Sequence, residues 1–105
     1  MNLIEKVFEL CEQAHKFVRD MAKYGISEAT AEREYRKLRS QWTLRLRSEG
    51  VPATLIKDIV DGETADARFK RDTARVYYKT AQEKINVIKK ETDTVNEQIR
   101  REYTQ

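Results

Sequence analysis

A single cysteine and a single histidine in 105 residues exclude an intrachain disulfide framework and any ordinary zinc cluster. Three glycines and one proline are too few for an all-β chain with many turns, and too few for a Gly-rich phosphate loop. Long apolar runs are missing as well. The longest stretch without a charge is residues 50–56, where a membrane span needs about 20 apolar residues. The first residues lack a basic segment followed by an apolar one, so no signal peptide is expected. The expected setting is a reduced, cytoplasmic one. With 39% hydrophobic residues, one domain with a thin core is expected over 1–105, with no cofactor cavity.

What the chain has in quantity is charge: 21 Lys plus Arg against 18 Asp plus Glu, a formal net charge of +3. The spacing of the apolar residues is helical. Ile4, Val7, Cys11, Ala14, Val18 and Met21 alternate by three and four, widened by Leu3, Phe8, Leu10 and Phe17. An apolar stripe that wide predicts a core-facing helix over 3–23. Gly25 reads as its left-handed C-terminal residue, and Ser27 as the N-cap of a second helix over 27–48. On that helix Ala31, Tyr35, Leu38, Trp42 and Leu46 share one face. Gly50 ends it, Pro52 opens a short helix over 53–60, and Gly62 closes that one. Thr64 caps a last helix over 65–103, in which Ala81, Ile85, Ile88, Thr92, Val95 and Ile99 keep heptad spacing.

The expected fold is therefore all-α: an antiparallel bundle of two helices of about 21 residues, a short linking helix, and one long C-terminal helix that extends beyond the bundle. At 1.5 Å per residue that last helix is about 58 Å long, against about 32 Å for each of the first two. Its final turns would lack an intrachain partner while still carrying an apolar seam. Ile85, Ile88, Val95 and Ile99 are the expected self-association seam, and a homodimer through the C-terminal helix the expected assembly.

Sequence motifs for chemistry are absent: no Walker loop, nucleophile elbow, zincin or C-x-x-C motif occurs. Cys11 and His15 stand one helical turn apart, but with no third orienting group in view Cys11 reads as a buried structural residue. No enzyme, metal site or cofactor is expected. The basic residues are more informative. Five of them and no acid fall between Tyr35 and Ser48, and residues 65–90 hold eight basic to three acidic residues. Arg33, Arg36, Lys37 and Arg47 lie opposite the apolar face of the second helix. Arg68, Arg71, Arg75 and Lys79 form a stripe about 17 Å long on the last one. Together these eight are the candidate contacts to nucleic acid or to an acidic partner, since planar guanidinium forks suit phosphates and carboxylates. The short helix, Gly62 and the following helix also admit a helix-turn-helix reading, against which an acid in the first turn of the second element argues.

The stretch LRLRSEGVPATLIKDIVDG (residues 44–62), with the helix after it, resembles short helical proteins of the early regions of phages and prophages of Gram-positive bacteria. That resemblance covers the C-terminal two-thirds of the chain. It implies a cytoplasmic life in an infected or lysogenic bacterial host, and a role on nucleic-acid machines. The leading expectation is an anti-CRISPR-like inhibitor of a host defence complex, a type II CRISPR effector nuclease above all, bound as a protein or nucleoprotein partner. Alternatives are a DNA- or RNA-binding accessory of phage replication or recombination, and a coiled-coil structural adaptor. The best-known inhibitors that mimic DNA are acidic, whereas this chain is net basic.

Overall fold

In a computed structural model describing residues 2–104, the chain is all-α, with helices α1 (Leu3–Ser48), α2 (Ala53–Glu63) and α3 (Ala65–Tyr103). Asn2 caps α1: its Oδ1 accepts the Glu5 backbone N–H at 2.8 Å, satisfying one of the helix's orphan donors. The two helices expected over 3–23 and 27–48 are one helix of 46 residues. Gly25 does not take the left-handed conformation, and Ser27 is an interior residue and not an N-cap. An interior glycine costs a helix only about 1 kcal/mol, which good helix formers on either side offset.

Gly50 differs because Pro52 follows it closely. A proline disfavours helical backbone at the preceding residue, so α1 has to stop. Gly50 takes φ +77°, donates its N–H to Arg47 O at 3.1 Å, and Val51 donates to Leu46 O at 3.0 Å. This is a Schellman end, with Val51 packed against the core cluster to which Leu46 belongs. The short helix expected over 53–60 runs on through Gly62 to Glu63. Thr64 alone separates α2 from α3. It caps the end of α2 and not the start of α3 by its side chain. Its N–H and Oγ1 both donate to Val60 O, at 3.0 and 2.6 Å, and the residue is buried. A one-residue joint is too short for the three- or four-residue turn of a helix-turn-helix.

Two glycine substitutions separate these roles. Gly62 sits in helix with open space around a Cβ, so Gly62→Ala is expected to raise stability by about 0.5–1 kcal/mol. Gly50→Ala should lower it by about 1–2 kcal/mol, because φ is positive there. Thermal melts of the two variants check both signs.

Contacts divide the chain into two compact units. One joins the start of α1 (to Lys23) to the end of α3 (from Tyr77). Its core is Leu10, Ile88 and Val95, flanked by Leu3, Val7, Ala14, Phe17 and Ile99. Lys84 lies 5.1 Å from the Phe17 ring. The heptad seam of α3 is thus as expected in register but not in partner. Ile88 and Val95 are buried inside the chain, Ile85 and Ile99 are half-buried, and α1 covers these turns because it is one long helix. The expectation of a C-terminal helix extending beyond its bundle, with an uncovered self-association seam, is corrected accordingly. The stripe on α1 is also corrected. Leu3, Val7, Leu10, Ala14 and Phe17 face α3, leaving Ile4, Phe8, Cys11 and Val18 exposed. Cys11 is a surface residue, not a buried one.

The second unit, Tyr24–Val76, holds the rest of α1, all of α2 and the start of α3. Leu46, Ile56 and Val60 form its core with Trp42, Val51 and Ile59 against them, and Ala31 is buried on the same face of α1. Its α1 and α3 segments are antiparallel, as shown by Glu28 meeting Arg75 and Glu32 meeting Arg71.

Candidate anion-binding face

Of the eight basic residues singled out by sequence, seven lie in the second unit, and they divide into two groups. Arg71 is inward. Its side chain is 16% exposed, and it reaches Glu32 at 3.3 Å and Asp72 at 2.9 Å. It also lies 4.5 Å from the Tyr35 ring centroid. Arg75 donates to Glu28 at 2.9 Å. Arg68 has Asp72 at 3.9 Å, and Arg36 donates to Glu32 at 2.7 Å. The expected α3 stripe is thereby corrected: Arg71 and Arg75 link α3 to α1, because antiparallel packing brings them opposite Glu28 and Glu32.

This ion-pair ladder has consequences for protonation. Glu32 Oε2 is shielded from solvent, with Arg71 beside it as an ion pair and not an aligned hydrogen bond. The Arg36 hydrogen bond, helped by the Arg71 charge, holds the Glu32 carboxyl below its ordinary value of 4.5 despite burial. Near α2, Arg39 donates to Asp61 at 2.7 Å and Lys57 to the same carboxylate at 3.0 Å. Arg39 first, then Lys57, holds Asp61 below its ordinary 3.8. Hydrogen bonds that Arg39 and Arg71 donate to carboxylates push both upward, chiefly to Asp61 for the one and to Asp72 for the other.

A carboxylate with a depressed folded-state pKa stabilises the fold above its unfolded value, and that contribution vanishes as pH falls through the folded value. The melting temperature should therefore hold steady from neutrality toward pH 4.5 and then decline as Glu32 and Asp61 protonate. In a Glu32→Gln/Asp61→Asn variant the acid-side decline should be shallower, from a lower starting point. Parallel declines in melts at graded pH would remove these two groups from the explanation.

The other group faces outward on α1. Arg33, Lys37, Ser40, Gln41, Leu44, Arg47 and Ser48 are all exposed, and none is acidic. Arg33 has only a 3.9 Å contact to its neighbour Glu34. The side chains of Lys37 and Arg47 have no ion-pair or hydrogen-bond partner among the described residues. Arg33, Lys37 and Arg47 follow i, i+4, i+14, so they share one side of the helix over about 21 Å. Leu44 sits between Lys37 and Arg47 and is 63% exposed. Sequence reading missed it, although its place seven residues after Lys37 and three before Arg47 puts it on that line. Lys79, in the first unit, is exposed.

The flanks of this face are occupied by fixed cations. Arg39 is held by Asp61 and Tyr35, and Arg45 stacks 5.0 Å from the Trp42 ring while reaching Glu49 at 3.1 Å. Two unpaired cations and one weakly paired cation along one helix face suit phosphates or carboxylates spread over a surface. No group of three or more His, Cys, Asp or Glu that could hold a metal ion occurs among the described residues. Among those residues, too, no helix is long and apolar enough to cross a membrane. Comparison of the chain with protein-family models, curated proteins and solved structures finds no match.

Proposed function

We propose that this chain is a non-enzymatic docking protein that occupies a phosphate-bearing surface of a nucleic-acid-processing complex and blocks it stoichiometrically. The observation that carries this reading is the outer face of α1, where the Lys37 and Arg47 side chains stand unpaired around the exposed Leu44 and Arg33 has only a 3.9 Å contact to Glu34. Cations already neutralised within a fold add little to binding, whereas free ones release counterions from each phosphate they meet. Leu44 adds an apolar contact that excludes water from the centre of the patch. Resemblance to phage early-region proteins directs the choice of target to a defence nuclease of the type II CRISPR class.

A cleavage assay tests the proposal. Guide-loaded type II nuclease titrated with the protein should lose activity in proportion to the protein added and reach zero at a fixed molar ratio, without turnover. A Lys37→Glu/Arg47→Glu variant should leave cleavage running at the uninhibited rate. Equal inhibition by parent and variant would mean that another surface makes the contact. Undiminished cleavage with excess parent protein would discard this target.

A further inference from the structure

The start of α1 carries a second apolar line that α3 does not cover. Ile4, Phe8 and Val18 are 48%, 67% and 51% exposed, and Cys11, His15 and Ala22 are exposed with them. These six positions follow spacings of four, three, four, three and four, so they share one side of the helix over about 27 Å. Large apolar side chains in such a line are not scattered surface residues. A contiguous line of this kind marks a contact surface. Its order is also palindromic. Reversed against itself, the line sets Ile4 opposite Ala22, Phe8 opposite Val18 and Cys11 opposite His15.

The charges beside the line have the same symmetry. Along the flank away from α3, Glu5 and Glu12 come first, then Lys16, Arg19 and Lys23, all exposed. None of the five makes an ion pair with another described residue. In an antiparallel pairing of two copies, each Glu5 would lie between Arg19 and Lys23 of the second copy, and each Glu12 beside its Lys16. A parallel pairing would instead carry this flank to the opposite side of the second copy, where the five charges would not meet their counterparts. Two-fold symmetric interfaces need a surface complementary to itself in this way.

We infer that this line is the interface of an antiparallel homodimer, in which the first 23 residues of α1 pack against the same segment of a second copy. The interface residues all belong to the first unit, apart from the outward basic face of α1 in the second, so the inference does not rest on the proposed function.

Sedimentation velocity of the full chain tests it. The parent protein should sediment as a dimer at micromolar concentration. Phe8→Glu should sediment as a monomer with unchanged helix content by circular dichroism, since Phe8 takes no part in the core of the single chain. Glu5→Lys should weaken the dimer about tenfold at low salt, and adding Arg19→Glu/Lys23→Glu should restore it. A parent that stays monomeric up to its solubility limit overturns the inference, as does a dimer that survives Phe8→Glu. Failure of the second charge reversal to restore the dimer overturns the antiparallel register.

Discussion

Leu10→Ala is expected to destabilise the protein by about 3 kcal/mol, the middle of the range for truncating a fully buried leucine. Leu10 is 2% exposed and touches both Ile88 and Val95, the other two buried members of its core. Besides these three, Ala81 is the one other buried hydrophobic residue among the described residues of the first unit, so little can collapse into the cavity. In a domain of this size the loss should lower the melting temperature by about 12–24 °C. The matched control is Leu44→Ala, the same chemical change at an exposed site, where the effect should stay within about 0.5 kcal/mol. Equal shifts at the two positions in a thermal melt would mean that Leu10 is not at the centre of a core.

The second large effect separates the cations that hold the fold from those free to bind. Lys37→Glu/Arg47→Glu is expected to leave the melting temperature unchanged and to abolish binding to polyanions, because neither side chain has an ion-pair or hydrogen-bond partner among the described residues. Arg71→Glu should do the reverse of the first part. It sets a third carboxylate against Glu32 and Asp72 and removes the guanidinium from the Tyr35 ring, so the second unit should lose its cooperative melt. Charge reversal at Arg71 or Arg75 therefore cannot report on binding. If Arg71→Glu melts like the parent protein, the ladder between α1 and α3 does not hold the fold and the cations do not divide into structural and free groups.

Most of the secondary structure was legible in the sequence, because helical periodicity was continuous and breakers were few. The heptad of α3, the core face formed by Ala31 and Leu46, and the end of α1 at Gly50 all follow from spacing and turn chemistry. Gly25 misled for a physical reason: glycine permits a left-handed end but does not enforce one, and only Gly50 has a proline close behind it. That single misreading propagated. Two short first helices implied an uncovered C-terminal seam, whereas one helix of 46 residues covers Ile88 and Val95. At the start of α1 the apolar residues formed two adjacent lines, and periodicity cannot say which of two equal lines meets α3. The basic residues were visible as a composition, but their pairing was not. Whether Arg71 is free depends on Glu32, 39 residues earlier in the chain, and only the antiparallel register brings the two together. Leu44 escaped notice because a lone leucine on a polar face carries no periodic signal.

The most direct measurement is an anisotropy titration of labelled duplex DNA and RNA with the intact protein at 50 and 200 mM salt, a range over which counterion release is strongly resolved. With Arg33, Lys37 and Arg47 each neutralising one phosphate, affinity should fall about 40-fold between the two conditions, and Lys37→Glu/Arg47→Glu should remove binding at both. No binding of the parent protein even at the lower salt, or binding that the variant retains, would contradict the assignment of this face.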